Sequence, residues 1–238
     1  MTIDQKRIYE ECVNKLPLAV SRLSDEYYYD SLPLCVIDAV FSIGTRYSST
    51  RKTVINYCNN QGILTRVAPP PSTQSDSYRI NDLLSAISAQ EDKGASIIFK
   101  NAQRTSSRNG ILKSEAVFEY ATVLKNNGIQ TLSDIRSASP SSIDEIEGQI
   151  KRIKGQKSGI SFSYFLMLSG NDSHMKIDRW LLRFVEGATG RKYTVSAAYN
   201  DLKEVCKELQ KEYTSITPRL LDHIIWSYMK NNMNRKHA

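Results

Sequence analysis

The sequence predicts an all-α fold, and three observations carry that expectation. Apolar residues recur at helical spacing along most of the chain. Glycine and proline are sparse, 11 and 7 among 238 residues, so little interrupts those runs. No stretch sustains the apolar–polar alternation of a half-buried strand, and no internal repeat is evident.

Taken in order, Leu34, Ile37, Asp38, Val40 and Phe41 begin a helix behind Pro33, whose fixed φ suits a first turn. Residues 42–49 (SIGTRYSS) break it, and a second helix is expected over 50–57. Residues 68–77 (APPPSTQSDS) read as a loop, rigid at the proline end. Further helices are expected over 80–90, 93–102, 112–126, 131–138 and 141–150. In the last of these Ser141 or Ser142 would cap an apolar face of Ile143, Ile146, Ile150 and Ile153. Residues 162–168 are apolar on most faces and read as a buried helix. Asp178 precedes the stripe Trp180, Leu181, Phe184 and Val185, and helices over 195–213 and 219–231 complete the chain.

Charge bears on partners rather than on fold. With 32 Lys and Arg against 25 Asp and Glu, the formal net charge is +7, which fits a polyanionic partner. Cys12, Cys35, Cys58 and Cys206 stand far apart with no CxxC pair. A compact zinc or iron–sulfur site is therefore not expected, and the thiols read as buried small hydrophobes in a reducing compartment. No apolar run approaches the ~20 residues of a membrane span, and the N-terminal residues lack a signal-peptide core. The expectation is an intracellular, nucleoid-associated or cytoplasmic protein with no metal, no cofactor and no membrane partner, working as a monomer.

Two segments carry chemistry. Residues 153–159 (IKGQKSG) join two helical runs within a tight turn, with Lys151, Arg152, Lys154 and Lys157 crowding the bend. Gly155 can take a positive φ, and Ser158 can cap the incoming helix. Such a turn offers backbone N–H groups and lysines to an anion, although an ordinary helix connection with a solvated charge run has the same composition. Asp178 at a helix start is either an N-cap or a carboxylate placed for catalysis.

Together these segments resemble the helix-hairpin-helix superfamily of base-excision DNA glycosylases. Gly155, Lys157, Ser158 and Gly159 fall on the later part of that family's hairpin. Residues 177–184 (IDRWLLRF) fall on its Asp segment, with Asp178 and Arg183 in register. Upstream, residues 39–42 through Arg51 and Lys52 look like its early helix and following loop. Lys113, Ser114, Glu115 and Ala116 resemble a further segment, so the likeness covers roughly 32–186. The hairpin lacks the family's proline and first glycine, and Gly44 stands where several members place a glutamine.

The resemblance implies two helical lobes with a catalytic cleft between them. Residues 32–168 would form one, ending in the hairpin at about 150–168; residues 1–31 with 169–238 would form the other and carry the catalytic Asp. It implies excision of a damaged or modified base from double-stranded DNA after base flipping. Asp178 would stabilise the positive charge that develops on the sugar and activate water. Lys154, Gly155, Gln156, Lys157, Ser158 and Gly159 would hold a DNA phosphate. Lys157 is either one more anion contact or, in a lyase, a Schiff-base nucleophile. Ser42, Gly44, Thr45, Arg46 and Tyr47 are candidates for the base pocket, and a missing side chain at Gly44 would admit a bulky base. Tyr27, Tyr28 and Tyr29 read either as packing or as a stacking surface, and His174 as an inert loop residue. A non-catalytic DNA-binding protein and an all-α protein–protein adaptor are the rival expectations.

Overall fold

In the computed structural model, residues 1–70, 72, 76–90, 94 and 96–235 are described. Among them every regular element is helical, and pairing is limited to isolated β-bridges, Tyr29 with Val67 and Arg104 with Leu112. The all-α expectation holds. The chain divides into two compact units, one of Ser24–Gly170 and one of Met1–Leu23 with Asn171–Ala238. Residues 24–31 thus belong to the larger unit, whereas the sequence placed them with the C-terminal segments.

In the larger unit the short 3-10 turn Asp25–Tyr27 precedes α2 (Leu32–Phe41), α3 (Tyr47–Gln61), α4 (Ile80–Ser88) and α5 (Ser96–Phe99). Then follow α6 (Lys113–Asn126), α7 (Leu132–Ser137), α8 (Pro140–Ile150) and α9 (Ile160–Leu168). All ten residues of α2 are buried, as expected of a helix apolar all round. It packs against α3, α4, α6 and α9. Helix α9 is buried too, with Phe165 against Tyr120 of α6 at 5.4 Å between ring centres.

Helix α2 ends on a buried cation. Lys113, 2% exposed, donates from Nζ to the Phe41 carbonyl at 2.9 Å and the Ile43 carbonyl at 2.7 Å. The last carbonyls of a helix lack intrahelical partners and carry its negative end, so an ammonium satisfies both needs.

The smaller unit packs α1 (Ile3–Lys15), α10 (Arg179–Thr189), α11 (Val195–Leu209) and α12 (Pro218–Arg235) around one core. Ile8 and Cys12 of α1 meet Leu181, Phe184 and Val185 of α10, Leu202 and Cys206 of α11, and Leu221 and Ile225 of α12. Helix α1 was not anticipated; a capping box closes it, with Thr2 and Gln5 exchanging hydrogen bonds.

Several boundaries shift for local reasons. The helix expected over 50–57 begins at Tyr47, and α12 begins at Pro218. The helix expected over 93–102 is a single turn, Ser96–Phe99, and Lys93 lies outside the described residues, as do residues 71 and 73–75 of the predicted loop. The cap of α8 is Ser139, which accepts from the Ser142 amide at 3.2 Å, not Ser141 or Ser142. Pro140 then occupies the first helical position, where its missing N–H costs nothing.

The Lys113 anchor predicts a stability effect. Lys113→Met keeps the apolar stem but takes the ammonium from both carbonyls, leaving the Ile43 carbonyl without a donor among the described residues and the Phe41 carbonyl with the Thr45 hydroxyl alone. It should lower the unfolding free energy by about 2 kcal/mol or more. An unchanged midpoint in urea denaturation would contradict the anchoring role.

Candidate functional site

Asp178 is the N-cap of α10. Its backbone is extended (φ −92°, ψ −174°), and its Oδ1 accepts from the Trp180 amide at 2.7 Å and the Leu181 amide at 3.4 Å. This is ordinary capping geometry, and it accounts for one oxygen only. Oδ2 accepts no hydrogen bond from the described residues, and the side chain is half-exposed. Arg179 and Arg183 both lie over the Trp180 ring, at 5.0 and 5.5 Å from its centre. A cation over an indole face is held electrostatically, so both guanidinium groups are kept close to the start of α10.

The segment leading into Asp178 is tied to α12. Asp222, 7% exposed, accepts from the Lys176 amide at 2.6 Å through Oδ2. Arg219 donates from its backbone to the Asp172 carbonyl at 3.1 Å and from its guanidinium to the Asp172 carboxylate at 3.3 Å. Burial pushes the Asp222 carboxyl up to about 8, and the negative charge of nearby Asp178 adds to the rise, opposed by the Lys176 amide and ammonium. At neutral pH the Asp222 carboxyl therefore favours its protonated form. Asp222 was not anticipated, because an aspartate between Leu221 and His223 in an amphipathic helix reads as part of its wet face.

The turn between α8 and α9 spans residues 151–159. Gly155 (φ +92°) and Gly159 (φ +73°) take the left-handed conformation that reverses the chain. Gly159, not Ser158, caps α9; the Ser158 hydroxyl receives only the Ile160 amide at 3.4 Å. Gln156 points inward and is 2% exposed, so it can offer an anion its backbone alone, and that amide already donates to the Ile153 carbonyl. The Gly159 amide likewise donates to the Gln156 carbonyl. The amides of Lys154, Gly155, Lys157 and Ser158 donate to no acceptor among the described residues, and all four residues are exposed. Lys151 pairs with Glu147 at 2.6 Å, whereas Arg152, Lys154 and Lys157 face no described carboxylate within salt-bridge reach.

The residues proposed for a base pocket serve the α2–α3 connection. The Ser42 hydroxyl donates to the Ala39 carbonyl at 3.0 Å, and the Thr45 hydroxyl to the Phe41 carbonyl at 2.7 Å. Gly44 has φ +68°, so its lack of a side chain has a backbone cause independent of any base. Arg46 is the exposed N-cap of α3. Tyr47 stacks obliquely on Tyr27, ring centres 5.8 Å apart. Tyr27 and Tyr29 are buried, which favours packing over an open stacking surface, and Tyr29 donates to Asp38 Oδ2 at 2.8 Å. The phenols of Tyr29, Tyr47 and Tyr164 are all pushed up, chiefly by burial, with the charge of Asp38 contributing.

Among the described residues, no group of three or more His, Cys, Asp or Glu side chains is placed to hold a metal ion. All four cysteines are free and buried, and burial pushes the Cys58 and Cys206 thiols up to about 11, away from reactive thiolates. No described helix is long and apolar enough to cross a membrane. A cavity of about 550 Å³ in the larger unit, lined by Asp30, Ser31, Gln61, Leu64 and Tyr78 among others, includes none of the residues singled out from the sequence.

The raised Asp222 carboxyl predicts a pH effect with a definite sign. Folding holds its proton to about pH 8, while the unfolded side chain releases it near pH 4. Its contribution is thus intact below about pH 4 and is lost as pH rises toward 8, at no more than about 1.4 kcal/mol per pH unit. Asp222→Asn cannot titrate and still offers Lys176 an acceptor. Its melting temperature should gain on the wild type steadily between pH 5 and pH 8; parallel melting curves over that range would refute the buried neutral acid.

No curated protein and no solved structure matches the chain. The chain belongs to a family described as a domain of unknown function (DUF8548), which it matches over residues 6–230.

Proposed function

We propose that this protein is a DNA glycosylase that hydrolyses the N-glycosidic bond of a damaged or modified base after flipping it from the duplex, leaving an abasic site. One observation carries the reading. Asp178 commits Oδ1 to the first amides of α10 and leaves Oδ2 without a described donor, in a half-buried side chain beside a buried acid whose carboxyl is pushed up to about 8.

The chemistry needs such a carboxylate. As the bond between sugar and base stretches, positive charge grows on the sugar, and a fixed negative group stabilises that charge without reorganising. The same oxygen can orient water and accept its proton as the new C–O bond forms, while the base leaves with the bonding electron pair. The net +7 charge and the open amides of the α8–α9 turn supply affinity for the DNA backbone, independent of base sequence. Lys157 is exposed within a cluster of cations, a setting that suits a phosphate contact better than a desolvated amine nucleophile.

Asp178→Asn tests this cleanly, because asparagine caps a helix about as well as aspartate and the fold should survive. Duplexes carrying uracil, alkylated, oxidised or glucosylated bases would be incubated with each protein and cleaved with hot alkali. Excision should fall by about 10²- to 10⁴-fold in the variant with DNA affinity unchanged. Undiminished excision by Asp178→Asn would remove the assignment. Intact DNA binding with no excision of any substrate by the wild type would favour the non-catalytic binder. Borohydride should trap no covalent complex through Lys157.

A further inference from the structure

The loop before α6 packs on the α8–α9 turn and carries positive charge of its own. Its ends are joined by hydrogen bonds from the Thr105 amide to the Ile111 carbonyl at 2.9 Å and from the Lys113 amide to the Gln103 carbonyl at 2.8 Å. Its tip is held by the Ser106 hydroxyl on the Arg108 carbonyl at 2.6 Å, and by the Arg104 guanidinium on the Gly110 carbonyl at 2.7 Å. Gly110 lies so close to Ser106 that a Cβ there would come within 2.4 Å of the Ser106 nitrogen. Arg108 is exposed at this braced tip.

Thr105 joins the loop to the turn. A Cβ at Gly155 would lie 2.3 Å from the Thr105 Cβ, so the Thr105 side chain packs directly onto the turn where only glycine leaves it room. The stretches 100–113 and 151–159 together contain no Asp or Glu. Arg104, Arg108, Arg152, Lys154 and Lys157 lack a carboxylate partner among the described residues.

We infer that residues 103–112 form a second half of the DNA-backbone contact, with Arg108 on a phosphate neighbouring the one held by the α8–α9 turn. This rests on reading that turn as a phosphate site. Three features favour nucleic acid over an acidic protein surface. Open backbone amides in a turn form a concavity that suits a compact anion. The arginine fork matches phosphate oxygens two at a time. The loop tip, Thr105 to Gly110, is wholly polar, without the apolar or aromatic anchors that hold protein partners.

The test measures affinity for a fluorescent DNA duplex between about 50 and 200 mM salt, a range over which each phosphate contact contributes about 0.9 to the slope of log K against log salt. Arg108→Ala should lower the slope by about 0.9 and weaken binding equally on duplexes of unrelated sequence. Lys125→Ala, twelve residues or about 18 Å along α6 from Lys113 at its start, should leave the slope unchanged. An unaltered slope for Arg108→Ala, with Lys154→Ala still lowering it, would overturn the loop contact and leave the turn as a phosphate site. Absence of any salt-dependent DNA affinity would overturn both. Stronger retention of polyglutamate than of DNA at equal salt would assign the patch to an acidic protein instead.

Discussion

A single buried carboxyl governs the geometry around Asp178. Asp222 sits on α12 among the apolar side chains of its unit, where a charge is costly and an unbonded polar group nearly so. Keeping its proton avoids the first cost, and accepting the Lys176 amide avoids the second. That hydrogen bond, with the Arg219–Asp172 contacts, draws residues 172–178 onto α12 and sets where α10 can start. Asp178 is then the first residue able to turn its side chain back onto the helix amides.

The larger unit solves a different problem, that of a helix with no wet face. Because α2 is buried throughout, the Phe41 carbonyl at its end has no water to turn to, and Lys113 of α6 meets it together with the Ile43 carbonyl just beyond. The start of α6 is thereby placed, along with the loop that precedes it. The same loop meets the α8–α9 turn at Gly155, where the Thr105 side chain leaves no room for a Cβ. Helix burial, the cation at its end and the glycine contact thus form one chain of constraint from the core to a basic surface.

How much of this the sequence discloses depends on the range of the interactions. Asp178 was legible because both its signals are local, a capping residue followed by an apolar stripe at helical spacing. The glycines of the turn were legible for the same reason, since reversal within a few residues demands positive φ somewhere. Asp222 was not, because its partner, the Lys176 amide, lies 46 positions away and its burial follows from how α12 packs. Gln156 looked like one more polar residue in a basic bend, yet tertiary packing turned it inward. Gly44 invited a functional explanation where a positive φ suffices. Ser139 rather than Ser141 or Ser142 caps α8 because Pro140, with no N–H to lose, fits the first helical position.

The proposed catalysis is electrostatic, with Asp178 stabilising positive charge on a deoxyribose. The most direct measurement compares two DNA duplexes, one with a cationic pyrrolidine in place of the target sugar and one with the uncharged tetrahydrofuran analogue. Transition-state mimics gain about a hundredfold or more when the stabilising group is in place. The wild type should prefer the pyrrolidine duplex by that order, and Asp178→Asn should lose the preference while binding the tetrahydrofuran duplex as before. Equal affinity of the wild type for both duplexes would contradict the account.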